Sequence, residues 1–404
     1  MKPLALAIVV VTTLWQEFLH LLSYRSAANP MPDNVKDVYD AERYAKWQAY
    51  NREKNWLAML STGASGFVMF FLLLFNAHAA IVPAGWGVYG QMAAVLLFQQ
   101  LIDLVLDAAF GWHDTMKIEA KYGFNRTTPA TFIRDQIINL VIALGLSIGL
   151  MAAFIALHQA LGDWIALLFA GVLFLLGLVF TFLYPVFSRI RNKFTPLEEG
   201  ELRARLTALM TKHGYKVRDI QVMDASRRST KSNAYFTGFG NMKTIVLYDN
   251  LLKVMTTDEI CAIFAHEMGH GLHKDTLKMQ LLNLLRMAAM ALCLWLTVRT
   301  DAPFTAFGFA GVNYGFALLF MGAVELSVLS PLFDLIFNAF SRRQEYLADK
   351  QAVAEGYAQA LISGLKQLYR EDFGCLAPSR LTVLLTYSHP TLSERISAIR
   401  GEKG

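Results

Sequence analysis

Seven apolar runs, near residues 3–23, 57–82, 90–110, 137–160, 164–187, 277–298 and 305–329, limit this chain more than any other feature. A helix of about 20 residues crosses about 30 Å of hydrocarbon, and lipid offers no partner to a free backbone amide or carbonyl. Such runs therefore read as transmembrane helices. A soluble chain of 404 residues could bury a large core, but it would carry about 25% charged residues; this one has 17%, against 55% hydrophobic. The expected class is mainly α, a polytopic membrane protein. The first run continues into Gln16, Glu17 and His20 without a small-residue cleavage site, so it reads as a retained span rather than a signal peptide.

Loop charge orients the spans. The loop after the first carries Arg25, Lys36, Arg43, Lys46, Arg52 and Lys54, and the third carries Lys117, Lys121 and Arg126. The second and fourth have no Lys or Arg, and the sixth only Arg299. The positive-inside rule then puts the N-terminus outside, and the segment between spans five and six in the cytoplasm with the C-terminal tail. The net charge of +5 is modest and points to no nucleic-acid partner. Cys261, Cys293 and Cys375 have neither disulfide nor metal-ligand spacing. The spans also hold Glu17, Gln99, Gln100, Asp103, Asp107, Arg286 and Glu325. Such groups line a polar cavity, or they hydrogen-bond between helices and snorkel to the interface.

The segment between spans five and six is mixed. Residues 196–213 have helical spacing, and 220–223, 232–236 and 244–248 read as short strands with a glycine-rich turn between the last two. The edge of such a sheet can accept an extended peptide, or the sheet can simply cover its neighbour. Next comes Ala265-His266-Glu267-Met268-Gly269-His270, behind a Thr256-Thr257-Asp258-Glu259 capping box and with Ile260, Ile263 and Phe264 on an apolar face. On a helix, His266 and His270 lie one turn apart on one face. Two neutral imidazoles can then share a zinc ion beside Glu267, a candidate general base.

Catalytic zinc takes three protein ligands and keeps one position open. Glu345 is the candidate third ligand, and Asp349, one turn further on, would orient a ligand imidazole. The alternative is His273, which can hardly reach an ion shared by both other histidines of the same helix. In the tail, His389 of Ser388-His389-Pro390 and Arg395 could each donate to a developing oxyanion.

These blocks carry a resemblance. Ser232-Asn233-Ala234-Tyr235, the His266–His270 motif, the 343–349 stretch and the 388–395 stretch occur in the order seen in the type I CAAX prenyl proteases, which are integral-membrane zinc metalloproteases. Tyr122-Gly123-Phe124-Asn125 is similar to a further block of that family. The resemblance implies seven transmembrane helices forming a barrel around a polar chamber, with a cytoplasmic α+β zinc-protease domain. It implies one Zn2+ per chain on His266, His270 and Glu345, with Glu267 as base. Asn233 would bind substrate backbone, and His389 and Arg395 would stabilise substrate or transition state. The substrate would be a peptide or protein, prenylated or membrane-associated, at a lipid bilayer. Eukaryotic members differ from this chain's Gly271-Leu272-His273-Lys274-Asp275. Compact loops and the lack of an ER-retrieval tail point to a bacterial homologue in an inner membrane. Bacteria generally lack protein prenylation, which leaves the physiological substrate open.

The expected organisation is a membrane region over 1–187, a soluble segment over 188–276, spans six and seven over 277–329, and the rest of the catalytic domain over 330–404. Two other readings compete. A quality-control protease without prenyl preference would use the same catalytic residues. A transporter or lipid-binding protein would use the polar membrane residues, but has no need of a capped zinc helix followed by an E-x-x-x-D helix.

Overall fold

Three of the apolar runs become helices that begin at a polar side-chain cap, from Asp40, Thr128 and Asn313, rather than at the limit of hydrophobicity. The computed structural model describes residues 1–402 apart from 84, 166, 167, 170, 180–188, 190, 191, 228–233 and 238–241. Helices α1 (Lys2–Ser26), α2 (Ala41–Leu74), α3 (Val88–His113) and α4 (Pro129–Leu161) build the N-terminal half. The Asp40 side chain caps α2 by accepting from the Arg43 amide at 2.7 Å, so this helix begins well before the apolar run at 57. The fifth expected span, 164–187, lies partly outside the described residues. Six described helices are long and apolar enough to cross a membrane.

A small sheet follows. It contains β1 (Phe194–Pro196), β2 (Lys216–Met223), β3 (Ala234–Thr237) and β4 (Met242–Tyr248), with α5 (Glu201–Lys212) between the first two strands. The strand order is β1-β2-β4-β3; β2 and β4 are parallel, and the other pairs antiparallel. β3 is thus an edge strand, pairing Ala234 with Leu247 and Thr237 with Thr244. The three-residue β1 was not foreseen, because Pro196 argues against a strand except at an edge, where β1 lies.

The remaining helices are α6 (Thr257–Leu272), α7 (Asp275–Val298), α8 (Tyr314–Val324), α9 (Ser330–Ala354), α10 (Ala358–Glu371), α11 (Arg380–Thr386) and α12 (Leu392–Arg400). The run expected at 305–329 begins its long helix only at Tyr314, where the Asn313 side chain accepts from the Phe316 amide. From there α8, a π-helical turn over Glu325–Leu329 and α9 form one continuous 41-residue helix to Ala354. The wide turn comes just before Pro331, whose ring and missing amide disfavour a regular ladder there. No break therefore separates the membrane part of this helix from the part that carries Glu345.

Two large cores, and a small one of Met223, Ala225 and Val246 on the sheet, hold the described residues together. One lies among the membrane helices and includes Met92, Phe154, Leu294 and Phe316. The other joins α6, α10 and α12 to the first and third loops through Val38, Tyr39, Trp47, Ile118 and Tyr122. The Tyr39 hydroxyl donates to the carbonyl oxygens of Tyr369 and Gly374 at 2.7 and 2.9 Å, and Lys54 binds Asp114 and Glu119. Phe124, in the Tyr-Gly-Phe-Asn block, packs edge-on against Phe373. Loops one and three thus pack into the same core as α6.

Polar membrane residues find partners within the protein. Gln99 links His78 to Asp103 at 2.8 Å each, and Arg286 pairs with Glu325. Asp103 lines a cavity of about 540 Å³ with Thr12, Thr13, Gln16 and His78. A second cavity, of about 640 Å³, shares Gln16 and Leu326 with the first and extends to Asn338 and Ser388.

Candidate active site

Helix α6 is a core element, with more than a single apolar face covered. Nine of its sixteen residues are buried, including Ile260, Ala262, Phe264, Ala265 and Met268. It is enclosed by β3, α5, α9 and α10. Both halves of the Thr256/Glu259 capping box form, tying down the start of the helix. Phe264 is fully buried, worth about 1.5–3 kcal/mol relative to exposure. Gly269 allows α9 to cross at contact distance, since an added Cβ would lie 2.8 Å from the Ala348 Cα. That crossing sets Glu345 and Asp349 opposite the two histidines.

Donor atoms of His266, His270 and Glu345 all lie within 4.8 Å of one another. The His266 Nε2–Glu345 Oε2 distance is 3.5 Å and the His270 Nε2–Glu345 Oε1 distance 3.3 Å. Ligands about 2.0–2.1 Å from a tetrahedral zinc are about 3.3 Å apart, so this spacing fits such an ion. Glu345 Oε2 is buried and accepts no hydrogen bond, with the Arg395 Nη1 at 3.4 Å. An orphaned carboxylate oxygen among imidazole nitrogens suits a cation. His273, the alternative third ligand, is not in this group.

The outer nitrogens are held differently. The His266 Nδ1 donates to Asp349 Oδ1 at 2.9 Å, because a carboxylate can only accept. Arg395 from α12 closes on Asp349 through Nε at 2.9 Å and Nη2 at 2.6 Å. Burial disfavours the Arg395 charge, but Asp349 overcomes it and raises the guanidinium further. The His270 Nδ1 donates to Asp275 Oδ2 at 3.0 Å. Burial alone would lower His270, yet Glu345 and Asp275 hold it up at about 9. For Glu267, burial pushes the carboxyl up against the pull of both imidazoles.

His389 Nε2 stands 3.3 Å from Glu345 Oε1, with its side chain 59% exposed, so it borders the open side of the cluster. Its Nδ1 is 2.9 Å from the Ser388 hydroxyl. Arg395, expected to stabilise substrate or transition state, is buried and engaged by Asp349, with its Nη1 3.4 Å from Glu345 Oε2. Asn233 lies outside the described residues, directly before β3. Sequence reasoning missed Asp275, which sits only five residues beyond His270, across a left-handed turn at Lys274 that the sequence does not announce.

Comparison with known proteins places these elements in a wider setting. A family model described as peptidase family M48 matches residues 196–403. One described as the CAAX prenyl protease N-terminal region, with five membrane helices, matches 20–189. The CAAX prenyl protease 1 homolog of Arabidopsis thaliana is 30% identical over 421 residues, covering 98% of this chain and 96% of that protein. The probable CAAX prenyl protease 1 of Schizosaccharomyces pombe is 32% identical over 401 residues, covering 91% and 81%. The crystal structure of S. mikatae Ste24p aligns with a TM-score of 0.91 at 25% identity over 98% of each chain.

Proposed function

The chain belongs to peptidase family M48 and is a membrane metalloprotease of the CAAX prenyl protease type; from that premise we propose that it is an endopeptidase using one zinc ion, held by His266, His270 and Glu345. The convergence of those three donor atoms within 4.8 Å carries this reading. Zinc bound there would supply Lewis-acid polarisation of the scissile carbonyl. Glu267 takes a proton from the attacking water and passes it to the leaving amine. Its raised carboxyl is better matched to both transfers than an ordinary glutamate. His389, on the open side, donates to the oxygen that gains charge. Asp349 fixes the His266 tautomer so that Nε2 faces inward, and Arg395 holds Asp349 in place.

Edge strand β3 can take up an extended peptide through main-chain hydrogen bonds, with Asn233 beside it as a further contact. The substrate we propose is a prenylated or otherwise membrane-associated peptide. The 640 Å³ cavity, which runs from Trp15 and Leu19 to Ser388, supports an approach from the membrane side. Loop charge supports a cytoplasmic catalytic side and an external N-terminus, in a bacterial inner membrane. We take 188–276 and 330–404 as one catalytic unit, supported by their common core with the first and third loops.

Purified protein in detergent is expected to bind zinc stoichiometrically and to cleave peptides. Glu345→Ala should lose both. Glu267→Gln should retain zinc while its kcat falls about 10²–10⁴-fold. Zinc retained in Glu345→Ala would remove Glu345 from the ligand set, and normal turnover in Glu267→Gln would remove the base. Equal kcat/KM for prenylated and unprenylated peptides would favour a quality-control protease.

A further inference from the structure

The two ligand histidines need their outer nitrogens fixed, and α9 serves only one of them. Asp349 is taken by His266 and Arg395, while Glu345 faces the inner Nε2 side. The residue that meets the His270 Nδ1 comes from α7 instead. Between α6 and α7 the chain turns at Lys274, which adopts the left-handed conformation at φ 56° and ψ 38°. A lysine there costs about 1–2 kcal/mol that glycine would not incur. The turn sets the first residue of α7, Asp275, against His270 in the last turn of α6. Its side chain is buried, with Oδ2 at 3.0 Å from the His270 Nδ1 and Oδ1 at 3.4 Å from the Lys278 Nζ. The first turn of a helix also favours a negative side chain.

We infer that Asp275 is the positioning residue for His270: it accepts the Nδ1 proton, fixes the tautomer and ring angle, and so leaves the Nε2 lone pair free for the ion that Glu345 would share. The inference rests on the zinc-ligand reading above. It makes α7, a membrane-crossing helix, a direct support of the catalytic cluster. The strained Lys274 then has a purpose, since a relaxed turn would not return Asp275 to His270. Groups that hold a ligand imidazole in this way are typically worth 10–100-fold in metal affinity.

The test uses full-length protein in detergent, with zinc affinity read by competition with a chromophoric chelator and ligand geometry by the visible spectrum of the cobalt(II)-loaded form. Asp275→Ala should weaken zinc binding by about 10–100-fold and alter the cobalt bands. Asp275→Asn, whose amide oxygen can still accept the Nδ1 proton, should recover part of both and covers the case in which the alanine variant does not fold. Lys278→Ala, which removes only the solvent-edge contact of Asp275, should shift both far less than Asp275→Ala. Wild-type affinity and spectrum in Asp275→Ala and Asp275→Asn would overturn the inference. A wild-type protein that binds no zinc would instead overturn the ligand reading, and this inference with it.

Discussion

His266 and His270 are equivalent in the motif, yet the two sides of the cluster that hold them are built from different physics. On the α9 side, Asp349 is 2% exposed and its charge is met by a two-point contact from one edge of the buried Arg395 guanidinium. On the α7 side, Asp275 is also buried, but its cation is Lys278, reaching in at 3.4 Å from a side chain 44% exposed. A buried pair whose hydrogen bonds are closed fails badly when one member is removed, because the other is stranded away from water. A pair at the solvent edge loses little, since water replaces the missing partner. The α9 side therefore couples the site to the stability of the fold. The α7 side couples it chiefly to metal affinity.

The largest expected effect breaks the first side. Arg395→Ala should destabilise the protein by about 3–5 kcal/mol, seen as a lowered denaturant midpoint, whereas Lys278→Ala should cost about 0–1 kcal/mol. Similar losses for both would mean that the contrast drawn here is wrong. A smaller effect is expected where α6 and α9 cross. Gly→Ala in a helix is ordinarily stabilising by about 1 kcal/mol, but at Gly269 the new methyl would lie 2.8 Å from the Ala348 Cα. Overpacking of that kind costs about 1–3 kcal/mol, so Gly269→Ala should be net destabilising or near neutral and should weaken zinc binding by shifting Glu345. A more stable Gly269→Ala with unchanged zinc affinity would show that the helices can part without disturbing the site.

The same contrast explains what could be read from the residues alone. His266, Glu267 and His270 are legible because helical spacing brings them together whatever the tertiary fold. Glu345 and Asp349 share a helix face, and zinc chemistry requires a third ligand, so they too were within reach. Asp275 was not. It depends on a left-handed lysine, and only glycine or asparagine at position 274 would have marked such a turn. The continuous helix from Tyr314 to Ala354 was hidden for a related reason, since Glu325 and Pro331 look like an end and the π-helical turn absorbs them. Tyr39 and Trp47, in a loop read only for its charge, turned out to belong to the catalytic-side core. The partners of the Tyr39 hydroxyl lie more than 300 residues away in the chain, which no local pattern encodes.

Protons sharpen the comparison further. In protein stripped of metal with a chelator, burial works to lower His270, but Glu345 and Asp275 prevail and hold it at about 9. Its ordinary value is near 6.5. A folded-state value raised in this way adds stability that is full below the ordinary value and is lost as pH rises through about 9. Zinc needs the neutral imidazole, so binding must displace that proton. Two opposite trends follow between pH 6.5 and 9. The stripped protein should become easier to unfold, while zinc affinity should climb by about tenfold per pH unit and level off above 9. Because Asp275 is one of the two carboxylates holding the proton, Asp275→Ala should move the levelling-off to lower pH. Zinc affinity that is flat between pH 7 and 9 in the wild type would show that His270 does not carry this proton, and the α7 side would then differ from the α9 side in exposure alone.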